Sequence, residues 1–115
     1  MFSNIKKKFS YLLLLKNFKT DKMISINEYF HGNVKSIGYS TENGKSTLGV
    51  MNPGDYEFGT SAHETMRIIE GEMTVKLPYT TEWITYKAGE SYEVEANKKF
   101  LVKVLVQTSY LCQYK

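Results

Sequence analysis

The chain has 115 residues, 42% of them hydrophobic and 23% charged, which suits one compact core and leaves little room for a second. Eight glycines and two prolines beside abundant aromatics exclude collagen-like and low-complexity classes, and the charge is too low for intrinsic disorder. The single cysteine, Cys112, can form neither an internal disulfide nor a multi-cysteine zinc site, which points to a reducing, cytoplasmic compartment. No apolar run approaches the length needed to cross a bilayer.

The formal charge of +3 is unevenly spread. Residues 1–22 carry six lysines against Asp21 alone, whereas residues 23–115 hold nine basic and eleven acidic side chains. A slightly acidic body offers no footprint for a nucleic-acid backbone. The leader, MFSNIKKKFSYLLLLKNFKTDK, has three competing readings. As a signal peptide its apolar stretch Tyr11–Leu15 is short, is interrupted by Lys16 and precedes no small-residue cleavage site. As a helix it would lay Phe9, Leu12 and Leu13 on an anionic membrane surface. As a basic extension outside the core it needs no partner, and the composition break at Met23 favours this reading. The expected organisation is therefore an extension over 1–22 and a single domain over 23–115, with no membrane partner.

From Met23 onward the chain breaks into short segments rich in Val, Ile, Thr, Tyr and Phe. Val34–Tyr39 and Ser46–Met51 flank an Asn43-Gly44 hairpin marker, and Asn52-Pro53-Gly54-Asp55 turns into Tyr56–Phe58. Thr65–Ile69 and Met73–Leu77 are expected to pair around Glu70-Gly71-Glu72. Pro78–Thr81 turns into Trp83–Tyr86, Ala88-Gly89 into Ser91–Val94, and Ala96-Asn97-Lys98 into Phe100–Val106; Tyr110–Tyr114 comes last. About nine such strands predict an all-β antiparallel sandwich or small barrel. Alternation over Phe100–Val104 turns Phe100, Val102 and Val104 inward, and the apolar Leu101 on the other face suggests cover by a second subunit.

Two segments resemble the paired motifs of the cupin fold, the double-stranded β-helix or jelly roll. Gly54…Glu64-Thr-Met-Arg-Ile-Ile-Glu-Gly71 resembles the first motif, and Gly89-Glu-Ser-Tyr-Glu-Val-Glu-Ala-Asn-Lys-Lys-Phe100 the second. Residues 23–115 as a whole resemble the small pyrimidine/purine nucleoside phosphorylase family. The carrying segments are Asn27-Glu-Tyr-Phe30, Val34-Lys-Ser-Ile-Gly-Tyr39, Gly49-Val-Met51, Thr74-Val-Lys-Leu-Pro78, Trp83…Tyr86-Lys-Ala-Gly-Glu90 and Thr108-Ser-Tyr-Leu-Cys-Gln-Tyr114. The resemblance implies phosphorolysis: a purine or pyrimidine nucleoside plus orthophosphate gives free base and pentose 1-phosphate. It also implies a homodimer. Glu95 and His63 stand where the family usually has proline and Arg67 is atypical, which puts local turns in question and argues against functional roles for His63 and Arg67.

The cupin metal set requires two histidines before Glu64 and one near position 100. Here the upstream candidates are Glu57, Phe58, Gly59 and Thr60 and the downstream one is Phe100, so only a carboxylate remains and neither a metal nor another cofactor is expected. On cupin geometry Glu64 points into the barrel with Met66 and Ile68 behind it, where desolvation should raise its pKa and suit it to ribose hydroxyls or catalysis. A structural carboxylate satisfied by tyrosine hydroxyls is the competing reading. Phe100, Tyr110 and Trp83 are candidates for base contacts, each weighed against plain core packing, with Met66 beside them and Tyr110 also a candidate donor to the departing base. Phosphate needs a cation or a nest of amides, and Lys35-Ser36 is the candidate pair. Cys112 reads as a buried, inert thiol. The rival function is a non-catalytic, metal-free cupin that binds a sugar or nucleoside as a sensor.

Overall fold

The computed structural model describes residues 23–115; the readings of the leader fall on 1–22 and lie outside the described residues. Ten strands follow in chain order: β1 (Ser25–Tyr29), β2 (Val34–Thr41), β3 (Gly44–Met51), β4 (Gly54–Gly59), β5 (Glu64–Glu70), β6 (Glu72–Lys76), β7 (Ile84–Lys87), β8 (Ser91–Val94), β9 (Lys99–Val104) and β10 (Thr108–Tyr114). They form two antiparallel sheets, a six-stranded one in the order β1-β2-β3-β10-β5-β8 and a four-stranded one in the order β4-β9-β6-β7. The strand missed by the sequence reading is β1. Its five residues bury no alternating face, so it carries no period-two signal.

The sheets share one core. Met66, Ile68 and Tyr92 from the large sheet meet Val75, Phe100 and Val102 from the small one. Phe100, Val102 and Val104 are each at most 2% exposed, while Lys103 between them faces solvent, as the alternation predicts. Each such side chain removed from water contributes about 1.5–3 kcal/mol before entropy is counted.

The expected pairing of β5 with β6 does not form. β5 lies between β10 and β8, and β6 between β9 and β7. Gly71, at φ 88°, carries the chain from one sheet to the other, and a Cβ there would overlap the Thr108 hydroxyl. That hydroxyl accepts the Glu72 N–H at 3.2 Å, so the corner is fixed by a side chain from β10. The β2–β3 hairpin forms as expected, but its central residues are Glu42 and Asn43, with Gly44 at φ 120° ending the turn. The turn before β9 holds without proline. Thr60 Oγ1 donates to the Glu95 carbonyl at 2.7 Å and accepts the Lys98 N–H at 3.0 Å, while Asn97 takes the left-handed conformation that its short polar side chain tolerates.

Candidate functional site

Cross-strand register builds the site in rows on the inner face of the large sheet. One row runs Ser36 (β2), Gly49 (β3), Tyr110 (β10), Ile68 (β5). A second runs Thr47, Cys112, Met66, Tyr92, and at the end of β5 Glu64 stands opposite Tyr114. Gly49 is required here because a Cβ would overlap the Tyr110 ring. The ring lies over the glycine, which the register places between Ser36 and Tyr110.

These rows open onto a cavity of about 420 Å³. Glu64, Tyr110, Ser36, Met66 and Phe100 all line it, so five of the seven residues singled out from the sequence converge. Burial raises the Glu64 carboxyl above the usual carboxylate range, opposed in part by the Cys112 thiol and by His63. Cys112 Sγ donates to Glu64 Oε1 at 3.5 Å, and burial, with the Glu64 charge, pushes the thiol up to about 12. The thiol is therefore unreactive, as expected, yet it sits against the carboxylate rather than idle in the core. Tyr114, half-buried, shares a hydrogen bond with Thr47 at 3.2 Å, and burial raises both the Tyr114 and Tyr110 hydroxyls. The result is one raised carboxyl among neutral donors that keep their protons at physiological pH.

Lys35 and Ser36 do not share a site. Neighbours on a strand point to opposite faces, so Ser36 is 4% exposed inside the cavity while Lys35 stands on the outer face, 3.7 Å from Glu28. Trp83 also lies outside the cavity, with the Lys103 ammonium 4.4 Å from its ring centroid. Phe100 contributes less surface than its place in the motif suggests. It is 2% exposed and stacked behind Phe58 at 5.6 Å, which leaves Phe58 as the more accessible ring. The sequence reading passed over Phe58, although its place two residues beyond Tyr56 on β4 puts both on one face.

None of the described residues lining the cavity is cationic. The nearest ammonium by register is that of Lys99, opposite Gly59 at the rim and 4.0 Å from Glu57. Among the described residues no group of three or more His, Cys, Asp or Glu is arranged to hold a metal ion. His63 instead faces Glu93, with Nε2 at 3.4 Å. An anion entering this cavity would meet the hydroxyls of Ser36, Thr47, Tyr110 and Tyr114 beside the carboxylates of Glu57 and Glu64, and a sugar would meet the same carboxylates. No described helix is long and apolar enough to cross a membrane.

Comparison with known proteins places this geometry. An RmlC-like cupin from Shewanella frigidimarina superposes with a TM-score of 0.64 at 13% identity over 82% of this chain and 85% of its own, which shows the cupin fold. A protein of unknown function from Vibrio parahaemolyticus superposes with a TM-score of 0.79 at 42% identity, over 82% of this chain and 100% of that one. A pyrimidine/purine nucleoside phosphorylase from Pseudoalteromonas atlantica is 58% identical over 80% of this chain and 99% of its own length, and one from Alcanivorax borkumensis is 55% identical over 80% and 98%. Residues 24–114 match the family described as pyrimidine/purine nucleoside phosphorylase, and this chain belongs to it.

Proposed function

We infer that the protein catalyses phosphorolysis of purine and pyrimidine nucleosides in the cytoplasm, taking orthophosphate as co-substrate and no cofactor. The carrying observation is that Glu64, raised by burial, lines the same cavity as the Tyr110 and Ser36 hydroxyls in a chain of this family. Cleavage of a glycosidic bond with phosphate approaching as the base leaves builds positive charge on the pentose, and such chemistry gains most from positioned charge. Glu64 faces the pentose hydroxyls and, as carboxylate, stabilises that charge. Tyr110 donates to the departing base. Ser36, with the neighbouring hydroxyls, holds phosphate without a lysine from its own strand.

The working unit is a homodimer joined through the outer face of the large sheet. Ile26, Ile37, Leu48 and Leu111 form one cross-strand row there, and Ile26, Ile37 and Leu48 remain 78%, 46% and 43% exposed. A two-fold axis sets such a row against its own copy. The testing experiment incubates the protein with uridine or adenosine. Free base should appear only with phosphate present, together with pentose 1-phosphate. Release that ignores phosphate would mean a hydrolase, and binding without release a sensor.

A further inference from the structure

The β1–β2 turn holds a bulky aromatic in an unfavourable conformation. Phe30, His31 and Gly32 have φ of 52°, 58° and 85°, a left-handed run that L side chains rarely adopt. Asn33 secures it: its N–H and its Nδ2 both donate to the Phe30 carbonyl, at 3.1 and 2.9 Å. Asn33 is in turn held by Asn52, whose N–H reaches the Asn33 carbonyl at 2.8 Å and whose Nδ2 reaches Asn33 Oδ1 at 3.3 Å. Gln107 Nε2 and the Tyr56 hydroxyl donate to Asn52 at 2.9 and 2.6 Å. Two other loops and one strand thus brace a turn where glycine or asparagine would adopt this backbone more readily.

What the bracing positions is the Phe30 ring. It lies at the cavity wall, 39% exposed, with its centroid 5.4 Å from Phe58 at an interplanar angle of 83° and 5.0 Å from Tyr56. One side of the ring packs on Tyr56 at the margin of the core, and the rest of it is left to the cavity. Phe30 and Phe58 stand nearly at right angles and so form a corner: a planar heterocycle resting on one ring presents its edge to the other. Neither ring carries a hydrogen-bonding atom, so the corner reads aromatic area and not base identity.

Building on the phosphorylase reading, we propose that Phe30 is a substrate-binding residue, the wall of the cavity on which the nucleobase packs. The test compares steady-state kinetics and phosphate-free titration with uridine and adenosine for wild type, Phe30→Ala, Phe30→Leu and Phe30→Trp. Phe30→Ala should raise the KM and Kd for nucleoside about tenfold or more, and leave the phosphate KM within about twofold. Phe30→Leu keeps apolar bulk but loses the π face, so it should fall with alanine, whereas Phe30→Trp should restore affinity. If alanine unfolds the turn, leucine against tryptophan carries the same comparison. A folded Phe30→Ala or Phe30→Leu protein with unchanged nucleoside KM and Kd overturns the proposal, as does an equal rise for nucleoside and phosphate. Failure of the phosphorylase reading looks different: wild type itself would release no base in response to phosphate, and the phosphate-free titration would still decide whether Phe30 holds the base.

Discussion

The two faces of the six-stranded sheet each depart in part from the usual arrangement: beside the core residues Met66, Ile68 and Tyr92 the inner face carries polar groups, and beside Lys35 the outer face carries apolar ones. The inward face carries Ser36, Thr47, Tyr110, Tyr114 and Glu64 around an open cavity, whereas the outward face carries Ile26, Ile37, Leu48 and Val50 toward solvent. A face chosen for stability alone would be apolar inside and polar outside. The inner face instead bears a desolvated carboxyl, which costs stability, and the outer face leaves apolar area in water. On the proposed reading, the inner face carries the chemistry and the outer face the assembly.

The strongest way to break this comparison is Glu64→Gln. The change is nearly isosteric and deletes the charge, so kcat should fall by about two orders of magnitude or more, with KM changing less. Stability should move the other way. Burial raises the folded-state pKa of Glu64 above that of an ordinary carboxylate, so its favourable contribution is full below the unfolded pKa and is lost as pH rises through the folded one. At pH 7 the wild-type carboxylate is therefore a burden, and the glutamine variant should show a higher Tm there, with the difference narrowing as pH falls through the raised folded-state pKa and levelling off below the unfolded one. Unchanged turnover with a lower Tm would make Glu64 a structural residue and empty the inner face of its role.

A second break concerns the row that seats Tyr110. A Cβ at position 49 overlaps the Tyr110 ring, and that ring is 5% exposed and borders the cavity. Gly49→Ala should displace the tyrosine into the cavity, lowering kcat/KM on the order of tenfold and costing about 1–3 kcal/mol by overpacking. Denaturant melts and kinetics on one preparation measure both. Wild-type activity in Gly49→Ala would show that the position of Tyr110 does not matter to the reaction.

These residues also show how much was legible beforehand. Alternation exposed the inward face of β9, and Glu64 with Met66 and Ile68 behind it announced the inward face of β5, because both strands have a buried side that writes a period into the sequence. β1 has none, and its following turn, which holds Phe30, was invisible for the same reason: no glycine or asparagine marks the first two left-handed positions. Lys35 and Ser36 were joined as a phosphate site because a motif keeps them adjacent, and strand geometry separates adjacent residues. The corner at Gly71 looked like a hairpin because a Glu-Gly-Glu turn serves either connection, and only the third-party hydroxyl of Thr108 distinguishes them.

On the outer face, Leu48→Lys places a charge in the middle of the apolar row, between Ile37 and Leu111. Light scattering should show the dimer giving way to monomer at concentrations where wild type stays paired, while the melting curve of the chain changes little, since Leu48 is 43% exposed in the single chain. Retention of the dimer would move the interface elsewhere and leave the apolar row unexplained. Turnover per chain then sharpens the comparison: if it persists in the monomer, the cavity is complete within one chain.

The smallest expected effect lies where the buried thiol meets the carboxyl. Cys112 Sγ donates to Glu64 Oε1 at 3.5 Å, and this bond favours the charged form, opposing the rise that burial imposes. Removing it should raise the Glu64 pKa further. On the proposed role of Glu64 activity requires the carboxylate, so turnover is lost as pH falls through that pKa, and a higher pKa moves the acid limb of the rate profile to higher pH. Cys112→Ala should therefore shift the acid limb of kcat upward and cost about twofold to tenfold in rate on that limb, with little loss on the plateau above it. Cys112→Ser keeps a hydroxyl donor and should bring the limb back toward wild type. A cavity left by the missing sulfur would depress rate or stability at every pH alike, so it is the pH dependence that separates the two causes. An acid limb unmoved in a folded Cys112→Ala protein would mean that the thiol only fills space, and that burial alone tunes Glu64.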